Sequence, residues 1–342
     1  MAQTTKKKNW QYDFLRVLGM LLVMLFHYTT QYSKSVQETS FAVFFPQEAS
    51  TFAVTLFFLM NGALAYRSLK DSTLSPLQYL KKRAVRLLPT FWLCLTITSL
   101  VLSLTGTAEI SLKQYLLNAV LLNRVFNVPF VDGVYWYMLI VLIFTFFLAF
   151  AKCLRRPERT AGLFLLYGIA FLAFGVYNRF FGKFPELLSF AVFQYLNKCL
   201  VGVVFGWLLY EGQSLSRRHR IFGVLYIAAL LLGEFLWFGK NKVLAEIAGF
   251  GVFAVVVLFG GKLRIGAKLE RIIGSAAGES YYVYLIHQQV GFVIMKALIS
   301  SGINCNAAIL LTMAIIFLSA FLHSCLQTLR FGVFREKTSA NK

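Results

Sequence analysis

Between Asp13 and Tyr28 the chain is apolar except for an acid, an arginine and a histidine: Asp13, Arg16 and His27. Ionisable groups are costly in hydrocarbon, so within a span they point to function by default. Their spacing strengthens that reading. Eleven residues separate Arg16 from His27, three helical turns plus roughly 20°, so both project from one face about 16 Å apart along the axis. Asp13 precedes Arg16 by three residues and is close enough to pair with it. A poorly solvated neutral imidazole can take a proton, which suits His27 to act as general base on a hydroxyl.

Further candidates lie along the chain. Lys81, Lys82, Arg83 and Arg86 form a basic segment in which Arg83 and Arg86 share a helix face, a geometry suited to phosphate or pyrophosphate. The plainer account of that segment is the positive-inside rule, and composition alone favours it. Asn61-Gly62 closes Phe57-Phe-Leu-Met-Asn61-Gly62, where close helix packing and an interhelical hydrogen bond are the simplest roles. Tyr135-Trp136-Tyr137 reads as an aromatic belt at a membrane boundary, and Trp136 and Tyr137 could also stack on a sugar ring. Ser280 to Gln289 is the most polar stretch in any apolar run, and Tyr284, His287 and the two glutamines suggest a lined cavity. His323 and His219 are left as ordinary histidines. Lys198 lies in mid-run with no partner visible in sequence, and Glu234 and Glu246 read as surface partners of Lys240 and Lys242.

The elements that must position these groups are membrane helices. The 342 residues are 58% hydrophobic and 14% charged, with mean hydropathy +0.67. Soluble domains average about 25% charged residues. Ten apolar runs approach spanning length: about 12–32, 51–67, 87–105, 134–151, 161–177, 189–210, 221–239, 243–261, 281–300 and 307–329. Residues 111–125 read as an interfacial or re-entrant helix. With the N-terminus placed in the cytoplasm, 24 of the 34 Lys and Arg fall on the inner side. Only Lys34, Lys113, Arg124, Arg179, Lys183, Lys240 and Lys242 fall outside. The net charge of +20 is thus a topology signal and does not point to nucleic acid. The expected fold is an all-α polytopic membrane protein of about ten transmembrane helices, both termini cytoplasmic, forming one domain over residues 1–342. The basic N-terminus precedes a full-length run with no cleavage site, so it reads as a retained first span. The five cysteines have no metal or disulfide spacing, and no metal is expected.

These elements, in this order, resemble the acyltransferase-3 family of bacterial membrane O-acyltransferases. Arg16 with His27 matches its Arg-x10-His signature. Phe57 to Gly62 is similar to its Phe-Phe-x-x-Ser-Gly element, with Asn61 in the serine's place. Arg83-Ala-Val-Arg86 matches Arg-x-x-Arg, and Tyr284-Leu-Ile-His287 its late Tyr-Leu-x-His. The resemblance covers nearly the whole chain and lacks the SGNH-type domain that some members carry. It implies a multi-pass protein of the bacterial plasma membrane that moves an acyl group, commonly acetyl, from cytoplasmic acetyl-CoA. The implied acceptor is a hydroxyl of a surface or envelope glycan or its lipid-linked precursor. It also implies that His27 acts on the acceptor, that the arginines hold the donor, and that Tyr284 and His287 are candidate oxyanion donors. The competing class is a secondary transporter of a small polar metabolite, for which Arg16, His27, Lys198 and the glutamates would also serve. The sequence shows no inverted repeat and no matched pair of Gly/Pro-broken helices in its support.

Overall fold

The computed structural model describes residues 9–36, 40–70, 74–154, 157–181, 191–211, 214–238 and 240–339. The basic residues 6–8 and 155–156, Lys183 and the first two residues of the expected sixth run lie outside them. Among the described residues the regular structure is helical, and all ten expected apolar runs fall on helices. In chain order these are α1 (Trp10–Phe26), which continues through a π-helical turn (His27–Gln31) into α2 (Tyr32–Val36), then α3 (Gln47–Lys70), α4 (Pro76–Leu104), α5 (Leu112–Ala119), α6 (Trp136–Cys153) and α7 (Pro157–Phe180). There follow α8 (Ala191–Glu211), α9 (Arg217–Phe238), α10 (Lys240–Phe259), α11 (Ala267–Ile286), α12 (Gln289–Ser300) and α13 (Cys305–Ser339).

Seven of the described helical stretches are long and apolar enough to cross a membrane, and α11 with α12 would make an eighth as one bent pair. Within α7 the apolar part is the shorter Leu163–Tyr177. Gln194, Asn197 and Lys198 lower the hydropathy of α8. The protein is an all-α polytopic membrane protein. The ninth run departs from expectation: instead of one straight helix, α11 and α12 meet at 79° across His287 and Gln288. The expected helix over 111–125 is also shorter. Ser111 caps it by accepting the Gln114 N–H at 3.1 Å. It stops at Ala119, and Leu121 then takes the left-handed region at φ 58°.

The helices group into two compact units. The first contains the chain up to Gly19, Pro46–Leu88 and Trp136–Gly266. Its centre is the pairing of α3 with α8, which small residues permit. A Cβ on Gly62 would overlap the Cys199 carbonyl, and one on Gly202 the Leu59 carbonyl. The packing role expected of Gly62 is therefore what the backbone shows. The second unit contains Met20–Phe45, Pro89–Tyr135 and the chain from Ala267 onward. There α13 packs on both α11 and α12. Its loop before Tyr135 is held by side-chain amides. Asn118 accepts the Val131 N–H at 3.1 Å and donates to the Pro129 carbonyl at 3.1 Å, and Asn123 donates to the Val128 carbonyl at 3.2 Å.

Candidate functional site

In the first unit, Asp13 and Arg16 form the expected pair, Arg16 Nη1 donating to Asp13 Oδ1 at 3.0 Å. Arg86 lies within electrostatic reach of both Arg83 and Arg16, and Arg16 and Arg67 both act on Tyr12. Arg83 Nε is buried and makes no hydrogen bond. Cations gathered against their mutual repulsion, with a buried N–H left over, suit a phosphorylated ligand. Lys82 is exposed beside them. Asn61 donates to the Tyr137 hydroxyl at 2.6 Å. Trp136 packs against Tyr195 with ring centroids 4.4 Å apart, and Phe58 meets Trp136, Tyr137 and Tyr195. Trp136 and Tyr137 thus belong to an internal aromatic cluster. Tyr135, in the second unit, is fully buried and donates to Thr98 at 3.2 Å. All three rings, at the start of the span that begins at Gly133, find protein partners.

Lys198 also finds partners in the first unit. Its Nζ lies 2.9 Å from Glu246 Oε1 and 3.7 Å from Glu234 Oε1. Gln194 donates to Glu246 at 2.9 Å and Asn197 to Glu234 at 2.9 Å, while Lys242 donates to Gln194 at 3.0 Å. Glu234 and Glu246 are only 1% and 2% exposed, so they are not surface partners of Lys240 and Lys242. Hydropathy near the ends of α9 and α10 suggested a surface position, but both carboxylates turn inward to a cation on α8. A cavity of about 10 Å³ borders Lys198, Asn197 and both glutamates. That is room for about one water.

The second unit holds His27 and His287. His27 begins the π-helical turn, whose extra residue per turn is a feature often found at functional sites. Thr29 Oγ1 supports the turn by donating to the Leu25 carbonyl at 2.6 Å, and it accepts the Phe45 N–H at 3.1 Å. The rings of His27 and His287 meet edge to face, with centroids 5.1 Å apart and planes at 68°. His287 is fully buried at the break between α11 and α12. Its Nδ1 lies 2.8 Å from the Tyr284 carbonyl. A carbonyl can only accept, so Nδ1 carries the hydrogen and Nε2 of the neutral ring carries a lone pair. That Nε2 is buried without a hydrogen-bond partner, and so is His27 Nδ1. Neutral His287 has already committed its one N–H to Tyr284. Its free nitrogen can accept a proton but cannot donate to an oxyanion, which removes one of the two expected oxyanion donors. Tyr284 lies against His287, ring centroids 5.7 Å apart.

Three residues that the sequence did not single out hold this pair. Tyr28 donates its hydroxyl to the His287 carbonyl at 2.8 Å. Gly291 permits that approach, since a Cβ there would overlap the Tyr28 hydroxyl. Asp132, fully buried, accepts the Gln289 N–H at 3.0 Å and the Val134 N–H at 3.1 Å. Only the place of Asp132 just before Gly133, at the head of an apolar run, could have drawn attention to it. His323 pairs with Glu279 at 3.0 Å and stacks on Tyr282, while His219 bonds Ser216 at 2.8 Å. Both have ordinary partners.

No curated protein and no solved structure matches the chain. The family model for the acyltransferase domain of the acyltransferase-3 type matches residues 9–326, which takes in the arginine group, the aromatic cluster and both histidines of the pair. The chain belongs to the acyltransferase-3 family of membrane acyltransferases.

Proposed function

We propose that this membrane acyltransferase transfers an acetyl group from acetyl-CoA to a hydroxyl of a surface or envelope glycan or its lipid-linked precursor, at a bacterial plasma membrane. The observation that carries the chemistry is the pair of imidazoles with unpartnered nitrogens, His27 Nδ1 and His287 Nε2. His27 is the general base. In this reading its Nε2 receives the acceptor's hydroxyl proton and its Nδ1 carries the hydrogen. The lone pair fixed on His287 Nε2 can take the Nδ1–H of the imidazolium that results, as an orienting partner does in other acid–base sites. The freed oxygen attacks the thioester carbonyl, and a C–O bond forms. The tetrahedral oxyanion collapses, the C–S bond breaks, and the CoA thiolate takes the proton from His27. Atoms and charge balance without a further reactant.

Arg16, Arg83 and Arg86, with Lys82 beside them, bind the phosphates of CoA. Trp136, Tyr137 and Asn61 form an aromatic and amide wall whose chemistry suits a sugar, with Asn61 already donating to Tyr137. The deciding experiment incubates protein in vesicles with labelled acetyl-CoA and a glycan acceptor. Label should pass to the glycan as an alkali-labile ester. Label that remains on CoA, or that crosses the membrane as intact solute, would refute the reading.

A further inference from the structure

A helix break leaves the first N–H groups of the new helix without partners. At the start of α12, Gln288 provides no side-chain cap. The carboxylate that meets this need comes from far away in sequence. Asp132 Oδ2 takes the Gln289 N–H at 3.0 Å, while Oδ1 takes Val134 N–H at 3.1 Å and so ties the carboxylate to its own segment. That segment lies directly on the break, since a Cβ on Gly133 would come 3.2 Å from Gln288 Oε1. On the other side of Asp132's contact, the His287 carbonyl accepts both Tyr28 Oη at 2.8 Å and Gly291 N–H at 3.1 Å. The His287 backbone is thereby fixed at the carbonyl by Tyr28 and two residues later by Asp132. Its ring is fixed by the Tyr284 carbonyl at 2.8 Å. Among the described residues no lysine or arginine pairs with Asp132. A fully buried carboxylate without a counter-ion is expensive to keep, and two backbone N–H bonds to one break are what it accomplishes here.

We propose that Asp132 is a positioning residue for the transfer reaction: by capping α12 across the break it holds His287, with its unpartnered Nε2, in place beside the His27 ring. The proposal rests on the reading of the histidine pair as the acid–base site, and its first test does not use activity. The protein, labelled with ¹⁵N-histidine and held in nanodiscs, has four histidines, which single substitutions assign. Wild-type His287 should show one tautomer, protonated at Nδ1. Asp132→Asn keeps the shape but loses one acceptor oxygen. It should move the His287 signals or mix its tautomers while leaving His219 unchanged. Unaltered His287 signals in a folded Asp132→Asn protein would overturn the proposal, whatever the substrate proves to be. In the labelled-acetyl assay the same variant should lose kcat on the order of 100-fold, as displaced catalytic groups do, with KM for acetyl-CoA unchanged. A rise in KM alone would also overturn it. Asp132→Glu, which retains both oxygens but moves them by one methylene, should show a smaller change of the same kind. If neither variant reaches the membrane, a pH titration of wild-type protein decides, since His287 signals must shift as Asp132 takes up its proton and their constancy would refute the role.

Discussion

The two units each bury a polar cluster, and the clusters are built on opposite terms. In the first, Lys198 stands between Glu246 at 2.9 Å and Glu234 at 3.7 Å, with amides of Gln194 and Asn197 bonded to the same carboxylates. Every charge there has its opposite at hand, so the cluster clamps α8, α9 and α10 together, although Glu234 Oε2 and Asn197 Oδ1 are buried without a hydrogen-bond partner beside a cavity with room for about one water. In the second, His27 and His287 meet with a nitrogen of each unpartnered, while everything around them, from Tyr28 to Tyr284 to Asp132, is bonded to something definite. Burial alone therefore does not distinguish structure from chemistry in a membrane protein. What distinguishes them is charge: the first cluster's cation and carboxylates offset one another, whereas the histidine pair presents two unpartnered nitrogens with no ion pair among the described residues.

The contrast can be broken most directly at His27. His27→Ala should lower acetyl transfer by about 10²–10⁴-fold, with thermal stability and membrane abundance unchanged. A stable variant with full transfer would move the base elsewhere. The reverse is expected of Lys198→Met. Removing the cation leaves two buried carboxylates uncompensated and should cost about 3–5 kcal/mol of stability. Replacing Lys198, Glu234 and Glu246 together by Met, Gln and Gln should recover most of that loss and retain kcat. If Lys198→Met folded normally yet transferred nothing, the first cluster would have to be reclassified as chemical. Arg83→Gln and Arg86→Gln come next, each expected to weaken acetyl-CoA binding by about 1.5–3 kcal/mol with little change in kcat. Unchanged affinity in both would take them out of the donor site.

The smallest effect concerns Asp132, which lies just before the span that begins at Gly133. Burial raises its carboxyl from 3.8 to about 7, and the two backbone N–H bonds only partly offset this. A folded-state value raised above the unfolded one contributes stability at acid pH that is lost as pH rises through about 7. The stability of wild type relative to Asp132→Asn, measured by thermal unfolding, should therefore fall over that interval. A constant difference would mean that this carboxylate, like those beside Lys198, has found compensation.

Much of this was legible in the sequence. Asp13 and Arg16 are neighbours on one helix face, and a periodicity argument reaches that far. The ten helical runs follow from apolar length, and Gly62 announced close packing. The order of the motifs carried the family. The rest depends on partners that helical spacing cannot reveal. Glu234 and Glu246 lie 36 and 48 residues after Lys198, and their position near helix ends suggested solvent until the packing of α8 against α9 and α10 turned them inward. The break at His287 has no proline or glycine at the bend itself to signal it. It is supported from far along the chain: Asp132 takes the Gln289 N–H, 157 residues away, that a straight helix would have satisfied internally, and Tyr28, 259 residues away, adds a second bond to the His287 carbonyl that Gly291 already occupies. The commitment of His287 Nδ1 to Tyr284 is likewise a matter of coordinates, and it reversed the expected role of that ring from donor to acceptor.

The clamp on the broken helix also has a direction in time. Both of its external members, Tyr28 and Asp132, precede His287 in the chain, so the ribosome delivers the receptor for the break before the break itself. Segments generally fold in the order they are made. As α11 and α12 emerge, their exposed backbone groups meet a waiting hydroxyl and a waiting carboxylate and need not linger unpaired in lipid. A circular permutation that placed residues 267–339 first would keep every contact of the finished protein and reverse that order of delivery.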